Sequence, residues 1–158
     1  MIALNPAIQN PAFVSYAVAC VVLLTHLQGV WLYSGFVRSK TGTAPNPEDA
    51  RGKTTVRDAD PPEVARVLRV HANGQAAVYP FLFLGLVYVL AGGSAGFAAW
   101  DFGIFTAARI LHSIAYLAGR QPWRSISYVT GTAAFLALLV QTVALLVALL
   151  VKGAPASG

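Results

Sequence analysis

The side chains best suited to binding or catalysis lie in a segment that is otherwise apolar. Arg109, His112 and Tyr116 are spaced i, i+3 and i+7, which places them on one face of a helix. Arg124 and Ser125 follow shortly after. Ionisable groups at membrane depth are costly unless they face a bundle interior or a wet cavity, and there they usually have a function. These residues therefore predict a polar binding site inside a membrane-embedded bundle.

A second polar stripe precedes the first. Arg66, Arg69 and Asn73 repeat the i, i+3, i+7 spacing, with His71 beside them. Arg66 by itself is equally typical of a positive anchor at the membrane interface, whereas Asn73 lies deeper and needs a hydrogen-bond partner. If the two stripes face each other, they form a cationic pocket. Guanidinium groups bind carboxylates bidentately and stay charged when partly buried, so this pocket suits a small molecule with several carboxylates.

Other kinds of site have little support in the sequence. The histidines are scattered and lack the His-x3-His or carboxylate spacing of metal ligands, so no metal site is expected. His26, Gln28 and Gln141 are more typical of hydrogen bonds between membrane helices than of ligand binding. The net charge of +5 reflects membrane topology, and no nucleic-acid partner is expected.

The composition predicts an integral membrane protein. Of the 158 residues, 56% are hydrophobic and only 11% are charged, against about 25% charged in soluble domains. A membrane-spanning helix needs roughly 20 apolar residues, and the glycine-rich segment 92–96 divides the central apolar stretch. We therefore predict a single domain, residues 1–158, with an all-α fold that forms a four-helix transmembrane bundle. The helices are expected at about 11–37, 61–91, 100–118 and 122–151.

Charge and helix-breaking residues complete the predicted topology. Ten of the eleven Lys and Arg residues lie in the loop 38–60, in the third loop or on the helix ends beside them. The positive-inside rule then places both basic loops in the cytoplasm and both termini outside. Such a multi-pass protein fits a bacterial inner membrane or the endoplasmic reticulum equally well. Asp60 is expected to cap the second helix, and Pro80 is expected to kink it.

Several segments of the sequence resemble the MAPEG superfamily, the membrane-associated proteins in eicosanoid and glutathione metabolism. They occur in family order and with near-family spacing from about Val37 to Thr130, whereas the first helix and the end of the fourth match only in hydrophobicity. The matching segments are Asn46-Pro47-Glu48-Asp49, Arg69-x-His71-x-Asn73, Tyr79-Pro80-Phe81-Leu82-Phe83-Leu84-Gly85, Ala108-Arg109 through Tyr116-Leu117, and Arg124-Ser125.

The resemblance implies a homotrimer with active sites between neighbouring subunits, each binding glutathione near the cytoplasmic face. It implies that Arg124 stabilises the glutathione thiolate, with Ser125 and Asp49 in supporting roles. A neighbouring cation lowers the pKa of a thiol, ordinarily about 8.5, and so raises its reactive fraction. Lipophilic electrophiles or lipid peroxides would arrive from the bilayer for glutathione transfer, peroxide reduction or a prostaglandin E synthase-like isomerisation. The glutathione-binding positions that the resemblance implies are Arg38, Arg69, His71, Asn73, Arg109, His112, Tyr116 and Tyr128.

The second helix departs from the family pattern. The family has a glutamate three residues after the asparagine, where this chain has Ala76, and Ala72 and Gly74 also replace polar residues of the family. Losing one partner of a low-dielectric ion pair can cost several kcal/mol. Glutathione binding could be weak, Gln75 or Glu48 could supply the contact, or the ligand could be a different thiol or anion. The alternative to an enzyme is a non-catalytic lipid-binding or scaffold member of the family.

Overall fold

Four long helices form a bundle, which confirms the predicted all-α class. The computed structural model of the chain describes residues 6–153. A short helix precedes the bundle, and the helices are α1 (Pro6–Gln9), α2 (Ala12–Thr41), α3 (Pro62–Leu90), α4 (Ala95–Leu117) and α5 (Trp123–Gly153). The predicted location of the two termini concerns residues 1–5 and 154–158, which lie outside the described residues.

Three of these helices, α2, α3 and α5, are long and apolar enough to cross a membrane, over Ala12–Thr41, Pro62–Leu90 and Trp123–Lys152. α4 has 23 residues, about 35 Å at 1.5 Å per residue, which is also membrane length. It carries Asp101, Arg109 and His112 within its length. All three of these side chains are buried in the bundle.

Two helix ends differ from the prediction, and local capping explains both. α2 continues to Thr41 rather than to residue 37, and it stops at Gly42. The left-handed backbone of Gly42 (φ 62°) lets its N–H donate to carbonyl oxygens of the last helical turn. α4 begins at Ala95 rather than near residue 100. Its first turn is capped by Ser94, whose Oγ accepts a hydrogen bond from the amide of Phe97 at 3.3 Å.

The predicted Asp60 cap is wrong. α3 is preceded by Pro61, and within residues 6–153 no side chain caps its first turn. The Asp60 carboxylate binds Arg38 instead, with Nη1 donating to Oδ1 at 2.6 Å and Nη2 donating to Oδ2 at 3.0 Å. This bidentate ion pair joins the end of α2 to the start of α3. α3 then runs as one unbroken helix through Pro80.

The connection between α2 and α3 contains a small sheet that the sequence did not predict. Strands β1 (Thr43–Ala44) and β2 (Thr55–Val56) pair in parallel, with Thr43 opposite Thr55 and Ala44 opposite Val56. Between them, Pro47–Asp49 forms one 3-10 turn. Asp49 is therefore carried on an exposed turn of this connection.

The apolar core fixes how α3 and α4 are rotated against each other. Phe81 of α3 stacks on Phe105 and meets Phe102 edge-on, with 5.5 Å between the ring centroids of Phe81 and Phe102. A core of this density permits few alternative rotations of the helices. It leaves the polar face of α4 directed at α5. The largest fully buried side chains include Leu23, Phe81, Tyr88, Phe102, Phe105 and Leu138.

Candidate functional site

The polar stripe of α4 is turned toward the first half of α5. Arg109 and His112 are only 4% and 6% exposed, while Tyr116 is half-buried. The side chains of Arg109 and His112 reach the backbone of α5 at Tyr128 and Arg124, which lie 12 and 8 residues after Tyr116 in sequence. Helical spacing on both elements thus brings residues that are distant in the chain to one place.

Arg109 is held by backbone and aromatic rings. Its Nη2 donates to the carbonyl oxygen of Tyr128 at 3.1 Å. The guanidinium carbon lies 5.3 Å from the ring centroid of Phe105 and 5.5 Å from that of Tyr128, within the range of cation–π attraction. The guanidinium also packs on the backbone of Gly131, where an added Cβ would overlap it. Arg109 is therefore fixed in place without a carboxylate partner among residues 8–152.

His112 is oriented by the start of α5. Its Nδ1 lies 3.0 Å from the carbonyl oxygen of Arg124, and because a carbonyl can only accept, Nδ1 is assigned the hydrogen. The imidazole centroid lies 5.8 Å from that of Tyr116 and 5.9 Å from that of Tyr128. Nε2 is buried and has no hydrogen-bond partner among the described residues. In the neutral ring, Nε2 is then a free acceptor.

Arg124 is positioned by its own helix end. Its guanidinium carbon lies 4.8 Å from the ring centroid of Tyr116. When the Gln121 amide is oriented to satisfy its partners, its oxygen accepts from Arg124 Nη2 at 2.8 Å and Nε at 3.1 Å, and its nitrogen donates to Ser125 Oγ at 3.1 Å. Gln121 thus links Arg124 to Ser125, two residues that the sequence singled out.

A cavity of about 360 Å³ opens beside Arg109, between α3, α4 and α5. Asn73 Oδ1 and Arg109 Nε are buried and have no hydrogen-bond partner among the described residues. Because unsatisfied buried polar atoms are costly, an acceptor and a donor left free at one cavity suit a polar ligand or water. The cavity is lined by Asn73, Ala76, Ala77, Pro80, Phe105, Arg109, Tyr128, Gly131, Thr132 and Phe135.

Ala76, the position of the family glutamate, lies on the wall of this cavity together with Ala77. The lining therefore contains one cation, Arg109, and no carboxylate. Gln75, suggested as a substitute, points elsewhere: its Nε2 donates to Tyr79 Oη at 3.3 Å.

The remaining predicted site residues do not join this cluster within one copy of the chain. His71 lines a separate groove between α2 and α3 that also contains Gln75. Arg69 is exposed on α3. Arg38 is engaged by Asp60 at 2.6 Å. Asp49 accepts a hydrogen bond from Asn46 Nδ2 at 3.0 Å in the connecting loop.

Among the other polar residues, His26 behaves as predicted. Its Nε2 lies 2.9 Å from Ser113 Oγ, so a hydrogen bond links α2 to α4. Ser113 Oγ also donates to the Arg109 carbonyl at 3.1 Å. Arg66 Nη1 lies against Gly119, in the turn between α4 and α5, close enough to meet any Cβ added there. These contacts brace the helix ends around the cluster.

Three contributors to the site, Gly131, Gln121 and Phe105, carry no strong signal in the sequence. Gly131 lies in a run of small residues that resembles ordinary membrane-helix packing. Gln121 stands just before the Pro122 that marks a helix start, which was the only available hint of a capping role. Their importance depends on where Arg109 and Arg124 lie.

Comparisons with known proteins identify the family of this chain. The MAPEG family model matches residues 14–144 of the chain. Prostaglandin E synthase of Homo sapiens is 37% identical over 123 residues, which are 75% of this chain and 80% of that protein. The Rattus norvegicus prostaglandin E synthase is 34% identical over 145 residues, 89% of this chain and 94% of that protein.

A second group of relatives carries a different name. Microsomal glutathione S-transferase 1 of Mus musculus is 37% identical over 128 residues, 76% of this chain and 79% of that protein. These relatives are similar over most of both chains, and the family model matches from the start of α2 into α5. The chain therefore belongs to the MAPEG family, and with its long apolar helices it is an integral membrane protein.

Proposed function

We propose that this protein is a membrane-bound, glutathione-dependent transferase or isomerase that acts on lipophilic electrophiles or lipid peroxides. The observation that carries the proposal is the cluster of Arg109, His112 and Arg124 where α4 meets α5, with a cavity beside Arg109 whose walls carry unsatisfied polar atoms. The names of the relatives, prostaglandin E synthase and glutathione S-transferase, support the same chemistry.

The residues present fit an acidic peptide. Glutathione carries two carboxylates, and Arg109 Nε is a buried donor without a partner among the described residues. Asn73 Oδ1 and His112 Nε2 are buried acceptors that likewise have no partner among the described residues, and they could accept hydrogen bonds from peptide N–H groups. Because Arg109 is already fixed by Tyr128 and Gly131, it would bind a carboxylate without losing much side-chain freedom.

Bound glutathione would supply its thiolate as the nucleophile. Arg124 would lower the pKa of that thiol by its charge, and the Gln121 amide would hold the guanidinium at the start of α5. The Ser125 hydroxyl, bonded to the same amide, would offer a further hydrogen bond. The apolar surface of the bundle would let a lipophilic substrate approach from the bilayer.

We further propose that the working unit is a homotrimer, with both basic loops on the cytoplasmic side. His71 lines one side of α3 and Asn73 another. A ligand held between two copies would touch one of these sides in each copy. Arg38, Arg69 and Asp49, which lie outside the cluster within one chain, would then join the site from the neighbouring subunit.

Ala76 supports a second candidate function. An active site without a carboxylate on this wall would bind the amino group of glutathione less well. A thiol or anion without that amino group, or a lipid bound without chemistry, would suit the cavity better. This candidate predicts ligand-induced stabilisation by fatty acids and none by glutathione.

The test is glutathione conjugation to a chromogenic aryl halide, and reduction of an organic hydroperoxide, by the purified protein in mild detergent. Arg124→Ala should lower kcat/KM about a hundredfold, the usual loss for a group that stabilises developing charge. Arg120→Ala is the matched control, because Arg120 is an exposed arginine on the other side of the same turn. The absence of both turnover and a glutathione-dependent rise in Tm would contradict the proposal. Stabilisation by fatty acids alone would favour the second candidate.

A further inference from the structure

Asp101 is a buried carboxylate in α4 that the proposed reaction does not use. It is 5% exposed, and its Oδ2 is fully buried with no hydrogen-bond partner in the part of the chain that the structure describes. Among residues 8–152, the one ion pair is between Arg38 and Asp60, so Asp101 has no cation beside it. Neither a hydrogen bond to Oδ2 nor an ion pair among the described residues therefore balances its charge.

An unpartnered carboxylate is expensive at this depth. Moving an ionised carboxylate out of water without a partner costs so much that the group either takes up a proton or acquires a cation. For that reason acidic residues in membrane helices are rare, and they generally face a cavity or a bundle interior where they find a partner. When Asp101 is ionised, a cation that balances its charge must come from outside the described part of the chain.

Asp101 opens onto a groove of about 510 Å³ between α4 and α5. Trp100 and Phe97 form one edge of this groove, and Trp100 is 76% exposed. Aromatic ring faces attract cations within about 6 Å. The rest of the lining is Ile104, Val129, Thr130, Ala133, Ala134 and Ala137, which is apolar apart from one hydroxyl.

The Thr130 hydroxyl is already engaged, since its Oγ1 donates to the Ile126 carbonyl at 2.9 Å. Asp101 is thus the charged group of the groove, and a ligand must bring N–H or O–H donors and an apolar body. A metal ion fits poorly, because the described residues contain no group of three or more His, Cys, Asp or Glu side chains that could hold one.

We propose that this groove binds a lipophilic amine in its ammonium form. The ammonium donates to the Asp101 carboxylate, and the hydrocarbon body packs on Ile104 and Val129 beside Trp100. The opposite charges of Asp101 and Arg109 direct a cationic ligand to the groove and an anionic ligand to the Arg109 cavity. Asp101 lies eight residues before Arg109, about 12 Å along the helix, so an ammonium is attracted to the groove and repelled from the Arg109 cavity.

The experiment is a thermal-shift titration of the purified protein in an uncharged detergent, with dodecylammonium as the probe and dodecanol as the uncharged probe of equal chain length. The concentration dependence of Tm gives an apparent Kd. Asp101→Asn should weaken the Kd for dodecylammonium about tenfold or more, because a hydrogen bond between charged groups is lost. Binding of dodecanol should not change.

Asp58→Asn is the control, since it removes the same charge from an exposed loop residue. If dodecylammonium shifts the Tm of wild type, Asp101→Asn and Asp58→Asn equally, or shifts none of them, the inference is overturned. A comparison of two probes on the wild-type protein tests the inference even if the Asp101→Asn variant misfolds. Dodecyltrimethylammonium, which has no N–H donor, should bind more weakly than dodecylammonium, and equal binding would also overturn the inference.

This inference is independent of the glutathione proposal. Asp101→Asn should retain the aryl halide conjugation rate of the wild type, because Asp101 lies outside the Arg109 cavity. A protein that fails the glutathione test but shows the Asp101-dependent shift would support the amine site alone.

Discussion

The guanidinium of Arg109 rests directly on the backbone of Gly131. No side chain separates α4 from α5 at this point, and a Cβ on residue 131 would overlap Nη2, Nε and Cζ of the arginine. The same arginine donates to the Tyr128 carbonyl, three residues earlier in α5. A glycine thus determines how deeply a charged side chain can enter the bundle.

Gly131→Ala should force Arg109 out of its position. Overpacking of a tight interior usually costs about 1–3 kcal/mol, so we expect the free energy of unfolding in mixed micelles to fall by that amount. The affinity for glutathione should fall as well, because Arg109 loses its fixed orientation. Reversible unfolding and the glutathione-dependent Tm shift measure the two effects.

Gly103→Ala is the control for this substitution. Gly103 lies inside α4 with open space around its Cα, so alanine there should stabilise the helix by about 0.5–1 kcal/mol. If the two variants change the free energy of unfolding equally, the contact between Arg109 and residue 131 is not the reason why alanine is unfavourable there.

The ion pair between Arg38 and Asp60 should contribute modestly to stability. Both side chains are partly exposed, and exposed pairs contribute about 0.2–1 kcal/mol. A double-mutant cycle with Arg38→Ala and Asp60→Ala should give a coupling energy in that range at low salt. The coupling should shrink at 1 M salt, where the Debye length is about 3 Å. A cycle on Arg57 and Asp58, exposed in the same loop, should show none.

Gln121→Ala should slow the proposed reaction by releasing Arg124. The amide oxygen accepts two hydrogen bonds from the guanidinium, and bonds to charged groups are worth about 1.5–3 kcal/mol, or roughly tenfold and more in rate. Steady-state kinetics should show the loss in kcat/KM. Gln121→Glu should also lose activity, because a carboxylate would offset the charge that acts on the thiol. Gln141→Ala, on an exposed stretch of α5, should match the wild type.

Ala76→Glu should restore an acid to the cavity wall. If glutathione binds there with its amino group near α3, KM for glutathione should fall about tenfold through a charge-assisted hydrogen bond. The KM for glutathione acylated on that amino group should be the same in Ala76→Glu as in the wild type. Ala76→Gln controls for side-chain size without charge. Equal KM values for the Glu and Gln variants would show that the amino group lies elsewhere.

Local pattern was enough to predict the helices but not all of their ends. The start of α4 depended on Ser94 acting as a cap, and Ser94 lay in a segment that was interpreted only as a glycine-rich break. Asp60 had the sequence position of a cap, yet Arg38 from the end of α2 offered a stronger partner. A charge partner 22 residues away in sequence cannot be inferred from the pattern around one helix start.

The sequence by itself determined the class of protein and the polar face of α4. Backbone groups in hydrocarbon must bond within their own segment, so long apolar runs can only be helices, and the spacing of Arg109, His112 and Tyr116 fixes their shared side. The tertiary structure decided which residues meet that face. Gly131, Gln121 and the empty wall at Ala76 matter because of the rotation of α3 and α5 about their axes. That rotation is set by the packing of the whole core, which no local segment encodes.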